Sequence, residues 1–85
     1  MLNVTLIHTD GRPSTTQLEP LHLTGTARET VRRLGQAGVD YIRARAIRGG
    51  RQADNIIAAY LFDTESETLR SFTISKFGTV TEEKS

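Results

Sequence analysis

The chain has 85 residues, 36% of them hydrophobic, with 11 basic against 10 acidic side chains and a net charge of +1. That length gives one domain with one small core, burying a little over ~60% of the unfolded surface. The lack of cysteine excludes disulfides and thiolate zinc sites and sets the expectation of a reducing, cytoplasmic setting.

The N-terminal run Met1-Leu2-Asn3-Val4-Thr5-Leu6-Ile7-His8 has no basic start, and polar residues break its apolar stretch. It reads as neither a signal peptide nor a membrane span. Leu2 to Thr9 instead fits a strand with Leu2, Val4 and Leu6 on one face. Asp10-Gly11-Arg12-Pro13 is a turn signal, and Thr15 to Leu18 is a short returning strand limited by Pro20. The stretch around Leu21-His22-Leu23 has no clear period. Thr26-Ala27-Arg28-Glu29 matches a capping box and opens a helix. Ala27, Val31 and Leu34 form its apolar stripe, with Arg28, Arg32 and Gln36 opposite. Gly35 weakens the last turn and Gly38 stands where a left-handed C-cap belongs. Three strands are predicted after it: Val39 to Ile47, Asn55 to Phe62 and Thr68 to Phe77. Arg48-Gly49-Gly50-Arg51 is the first connection, with positive φ supplied by the glycines. Asp63-Thr64-Glu65-Ser66-Glu67 is the second. The domain is expected to span residues 1–78, and the polar tail 79–85 to fray.

Centring the hairpins on Gly49-Gly50 and on Glu65-Ser66 gives one register. Ile42 faces Ile57, Ile57 faces Ile74, Ala59 faces Phe72 and Tyr60 faces Ser71. One face collects Ile42, Ala44, Ala46, Ile57, Ala59, Leu61, Phe72 and Ile74, and the helix is expected to dock there through Val31 and Leu34. The predicted fold is α+β: a small two-layer sandwich with an antiparallel sheet of four or five strands, ordered β-(β)-α-β-β-β, and one helix on one face. The first strand is expected to pair at either terminal strand of the meander.

The residues argue against catalysis. No serine lies in a nucleophile-elbow context. His8 and His22 are the only candidate bases, and both read as packing or surface residues; a small enzyme built on either is the remote alternative. The histidines do not form a metal-ligand spacing. Asp63 to Glu67 lacks the central glycine and distal glutamate of a calcium loop. Gly25-Thr26 before the helix lacks a phosphate-loop pattern, and Glu29 would repel an anion. No catalytic residue, cofactor site or metal site is assigned.

Charge carries the positive signal. Arg28 to Arg51 holds seven arginines against Glu29 and Asp40, a local +5 in a chain of net +1. Arginine outnumbers lysine 9 to 2, which reflects either codon bias or bidentate recognition of phosphate and carboxylate. On the predicted register, Tyr41, Arg43, Arg45 and Tyr60 share the outer sheet face. Arg48 and Arg51 flank the turn, and Ile56 and Ala58 add apolar surface to the face. These six arginine and tyrosine side chains are the candidate partner-binding residues. The expected function is a non-enzymatic interaction protein, an accessory or inhibitor of phage or plasmid type, docking on an acidic protein or nucleoprotein surface. The alternative is direct nucleic-acid binding through the same face. No membrane partner is expected, and a homodimer is compatible with the open sheet. In size and element order the chain is similar in outline to small anti-CRISPR inhibitors, a likeness that no motif carries.

Overall fold

The structure, a computed structural model, describes residues 1–19 and 27–83, the side chains of residues 27–31 excepted. Its elements are β1 (Leu2–His8), β2 (Pro13–Leu18), α1 (Ala27–Ala46), β3 (Ile47–Arg48), β4 (Arg51–Gln52), β5 (Ile56–Asp63), β6 (Thr68–Ile74) and β7 (Val80–Glu83). Five strands make one antiparallel sheet in the order β2-β1-β5-β6-β7, and β3 and β4 form a separate hairpin. With α1 on one sheet face, this is the small α+β sandwich that the pattern of elements predicts.

β1 alternates as its sequence demands. Leu2, Val4, Leu6 and His8 are buried, while Asn3, Thr5 and Ile7 are half-buried on the other side. It returns through Asp10-Gly11: Gly11 has φ 85° and donates its N–H to the His8 carbonyl at 2.8 Å. The Asp10 carboxylate accepts from the Arg12 N–H at 2.9 Å, and that bond holds its pKa below the ordinary carboxylate value. β1 lies between β2 and β5, so it occupies the edge of β5 that the predicted strand 39–47 would have taken.

Residues 39–46 are helix, not strand. α1 runs through Gly35 and Gly38 without stopping and spans 20 residues, about 30 Å at the rise of an α-helix. Its buried side follows i+4 steps: Leu34, Gly38, Ile42 and Ala46, with Val39 beside them. Gly38 is therefore not a cap but a notch. A Cβ placed there would meet Leu2 Cδ2 at 2.7 Å and Leu61 Cδ2 at 2.9 Å, distances below any ordinary carbon contact. The close approach buries the i+4 column against the sheet, which offsets the ~1 kcal/mol that a mid-helix glycine costs. The capping box at Thr26, the ambiguous Leu21-His22-Leu23 and the side chain of Val31 lie outside the described residues.

The second hairpin has the predicted register, with Ala59 opposite Phe72 and Tyr60 opposite Ser71. Ile57 departs from it. His8 pairs with Ile56 and Ile7 with Ala58, so Ile57 is an extra residue, a β-bulge. The bulge exchanges the expected roles of two neighbours: Ile56 is 0% exposed and Ile57 is 40% exposed. Asp54 and Asn55, with φ of 53° and 56°, form the tight turn that leads into the bulge, and the Ile56 N–H closes it on the Ala53 carbonyl at 3.1 Å. Val80 to Glu83 also differs from the expected fraying tail. It pairs with β6 from Ile74↔Val80 to Ser71↔Glu83. Glu82 is anchored there by Arg70, whose Nε and Nη2 donate to the two carboxylate oxygens at 2.9 and 2.8 Å.

The two helix glycines should respond oppositely to alanine. Gly35→Ala places its methyl 3.4 Å from Arg70 Nη1, an ordinary contact with the guanidinium nitrogen that does not bond Glu82, and raises stability by about 0.5–1 kcal/mol through helix propensity. Gly38→Ala lowers it by about 1–3 kcal/mol by overpacking against Leu2 and Leu61. Urea unfolding of both variants checks the sign of each change.

Candidate interaction surfaces

The six residues expected to form one face are distributed over three places. Tyr41 and Arg45, one helical turn apart, share a flank of α1. Arg45 Nη1 donates to Tyr41 Oη at 3.1 Å, and its guanidinium carbon is 5.8 Å from the ring centroid. The same guanidinium reaches Asp54 Oδ2 at 3.9 Å, and Tyr41 Oη hydrogen-bonds to Thr16 Oγ1 at 3.2 Å. Arg45 is thus tied to the fold and partly neutralised. Arg43 is two residues away, rotated by about 200° around the helix axis, and points elsewhere into solvent. Tyr60 lies on the sheet face opposite α1, exposed between inward-facing Ala59 and Leu61. The common arginine–tyrosine sheet face therefore does not form, because Tyr41, Arg43 and Arg45 are helical.

Arg48 and Arg51 are brought together. Gly49 and Gly50, at φ 61° and 75°, make the two-residue turn that the sequence predicts, and Arg48 sits directly opposite Arg51. Both are exposed, and among the described residues neither has a carboxylate within ion-pair distance. Like charges facing across a ladder repel.

The hairpin is fastened at both sides. The Ala53 N–H donates to the Ala46 carbonyl at 2.8 Å, satisfying a group at the helix C-terminus. The Gln52 N–H donates to the Lys76 carbonyl at 2.9 Å, and the Gln52 side-chain amide reaches the Ile74 carbonyl at 3.3 Å. This contact sets the loop between β6 and β7 beside the arginines. In that loop Lys76 Nζ lies 5.3 Å from the Phe77 ring centroid, and Phe77 is 61% exposed. The neighbouring Gly78, at φ 82°, leaves room for Ile47, whose Cγ1 would lie 2.7 Å from any Cβ there. The outcome is a basic end carrying Arg48, Arg51 and Lys76 around exposed Ile47 and Phe77. The sequence reading missed Lys76, Phe77 and Ile47. Their only signal is Lys-Phe-Gly after a strand, which has no meaning until the hairpin leans on it.

His8 is buried, at 6% exposure, with both ring nitrogens engaged. Nδ1–H donates to the Asp54 carbonyl at 2.8 Å, so in the neutral ring Nε2 accepts from Ser14 Oγ–H at 2.9 Å. A serine beside an oriented imidazole is a pairing that the spacing did not suggest; it follows from the β1–β2 hairpin, which sets Leu6 opposite Ser14. Here the ring ties β1, β2 and the turn before β5 together. His22 lies outside the described residues, as does the Gly25-Thr26 helix start. Among the described residues no group of three or more histidine or acidic side chains is arranged to hold a metal. No helix among them is long and apolar enough to cross a membrane.

A separate cleft of about 220 Å³ opens between α1 and the sheet, floored by Leu2, Leu34 and Leu61 and rimmed by Arg32, Asp63 and Arg70. Its charges are largely spoken for. The hydrogen bonds that Arg70 donates to Glu82 raise its pKa above the ordinary value, and Asp63 Oδ1 accepts from the Glu65 N–H at 3.0 Å.

Comparison with family models, with curated proteins and with solved structures returned no match to the chain.

The three-way tie at His8 makes a stability prediction. His8→Ala removes a buried ring and both of its hydrogen bonds and should cost about 2–4 kcal/mol. Ser14→Ala removes one bond and should cost about 1 kcal/mol. Denaturant midpoints of the two variants check the ratio; equal small effects would show that the ring does not hold these strands.

Proposed function

We propose that this chain is a small non-enzymatic interaction protein that docks its basic end on an acidic protein or nucleoprotein surface and acts by occlusion, as an accessory or inhibitor protein would. The observation that carries this reading is the unneutralised pair Arg48 and Arg51. The two residues are paired across a two-residue turn, with Lys76 on the adjoining loop. Among the described residues Arg45 has Asp54 and Arg70 has Glu82, Arg43 stands alone in solvent, and Arg48 and Arg51 are held opposite each other without a carboxylate. An acidic surface would relieve the repulsion at the hairpin, and arginine forks bind carboxylate and phosphate bidentately. Exposed Phe77 and Ile47 beside these charges supply the apolar contact that gives such a surface residence time. The cysteine-free composition suits action in the reducing cytoplasm.

Direct nucleic-acid binding is the second reading, favoured by one feature: Phe77 lies exposed next to Lys76, an arrangement that stacks a base beside a phosphate. Three phosphate contacts would give a slope of log K against log salt near −3 on duplex DNA.

Arg48→Glu with Arg51→Glu separates these readings from a passive surface. The variant should keep the far-ultraviolet circular dichroism of the parent. It should elute from immobilised heparin at much lower salt and lose partner capture from nuclease-treated lysate. Capture that survives the double charge reversal would remove the hairpin from the interface. Capture that disappears on nuclease treatment of the parent sample would favour the nucleic-acid reading.

A further inference from the structure

We infer that the sheet face not covered by α1 is the contact surface for a second copy of this chain. This surface is distinct from the basic end, and its role does not depend on what that end binds. Along β1, β5 and β6, the positions pointing away from α1 carry no charged side chain, in a chain of which 25% is charged. The register joins the apolar ones into a strip along β5. Ile7 stands opposite Ala58, Phe62 stands opposite Leu69, and Tyr60 lies between these pairs. Tyr60 is 39%, Phe62 37% and Leu69 62% exposed. A contiguous apolar strip with a polar surround is the usual mark of a contact surface.

Charge selects the occupant. A basic or acidic partner finds no counter-charge on the three central strands, and the arginines that would hold an acidic one are on the helix and hairpin. A second copy brings the same neutral strip, so apposition sets no like charges together in the centre. The strip follows the middle strand of five, so a two-fold axis near Tyr60 lays it on itself, as a self-complementary interface requires. Hydroxyls of Thr5, Ser71 and Thr73 surround it, giving an apolar centre with a polar surround.

The area is sufficient. Five strands at ~4.8 Å spacing, the central ones of about seven residues at ~3.3 Å per residue, span at most roughly 24 × 23 Å, with the shorter β7 placing Glu83 at the rim of the face. Two such faces bury on the order of 1,100 Å² in projection, above the ~1,000 Å² that marks a specific interface. The sheets would stack ~10 Å apart with their strands within ~30° of parallel or antiparallel.

Sedimentation equilibrium of the full chain, from micromolar to hundreds of micromolar, tests this. The expected result is a reversible species of twice the chain mass. Phe62→Lys with Leu69→Lys places like charges on the apposed strips and should weaken the dimer at least ~100-fold. Thr5→Lys, opposite Tyr60 at a half-buried hydroxyl position, should weaken it in the same direction and guards against a folding defect in the double variant. Circular dichroism and the urea midpoint report folding of each. A monomer at every concentration overturns the inference, even if some other protein occupies the face. So does a dimer that survives the folded lysine variants, or one that Arg48→Glu with Arg51→Glu dissociates.

Discussion

The fold depends on how closely α1 approaches the sheet at Gly38. At that point the helix backbone rests on Leu2 of β1 and Leu61 of β5, with no space for a methyl group between them. The contact lies midway along the buried column of Leu34, Gly38, Ile42 and Ala46. A bulkier residue would lever the helix away, and Leu34 and Ile42 would lose the core that stabilises them. Because the helix is held there, it continues to Ala46 and delivers the chain directly to Ile47 at the far end of the sheet. The position of the Gly-Gly hairpin is thus a consequence of helix packing. A helix that ended at Gly38 would have carried Arg48 and Arg51 on an extra strand of the sheet, not beside Lys76.

Having one helix also explains the asymmetry of the two sheet faces. A chain of this length supplies one amphipathic helix, and a helix covers one side of a sheet. The inward residues of β1, β5 and β6 are aliphatic or aromatic and buried, apart from His8, Asp63, Thr68 and Arg70 near the ends. The outward ones are a compromise of threonine, serine and half-exposed apolar side chains. The bulge at Ile57 sharpens the division. It turns Ile56 fully into the core, under the His8 end of β1, and releases Ile57 from it. Positive charge is kept off the outer face and gathered on the helix and hairpin, so the molecule has one basic end and one sheet face whose three central strands are uncharged. Each suits a different kind of contact.

Most of the sheet was legible in the sequence. Alternation in Leu2 to His8, in Ala58 to Phe62 and in Ser71 to Ile74 marked the inward residues, and the turn at Glu65-Ser66 set the pairing of Ala59 with Phe72. Gly49-Gly50 was legible as a turn because only positive φ fits there. The segment Tyr41 to Ala46 was not legible. Its Tyr-Ile-Arg-Ala-Arg-Ala order satisfies a period of two, yet Ile42 and Ala46 also continue an i+4 series from Leu34. The glycine at position 38 hides that series, since a glycine contributes nothing to a hydrophobic pattern and resembles a cap. Arginine and alanine favour helix, and tertiary packing decided the case. The bulge was illegible for a different reason: Ile56 and Ile57 are identical side chains, and only the turn at Asp54-Asn55 determines which one enters the core. β7 was missed because an edge strand with one half-buried valine and two glutamates has little pattern of its own; it is defined by Arg70 and by the ladder on β6. The candidate surface suffered most, because three of its six residues depended on the misread segment.

The basic hairpin differs in kind from the arginine sites at positions 45 and 70. Arg45 and Arg70 are embedded in local networks: one stacks near Tyr41 and reaches Asp54, and the other lies over the Phe72 ring and grips Glu82 with two hydrogen bonds. Such arginines serve the fold, and their charge is largely cancelled where it stands. Arg48 and Arg51 are placed by backbone alone. The turn aligns them, the ladder holds them opposite each other, and both are exposed, with no carboxylate within ion-pair distance among the described residues. A pair of this kind lowers stability by a few tenths of a kcal/mol in the isolated chain. Nothing in the packing of the hairpin requires arginine at either position, since the glycines make the turn and Ile47, Gln52 and Ala53 make the contacts. Codon bias can supply a lone solvated arginine such as Arg43 anywhere on a surface; what sets Arg48 and Arg51 apart is that the ladder holds two like charges opposite each other.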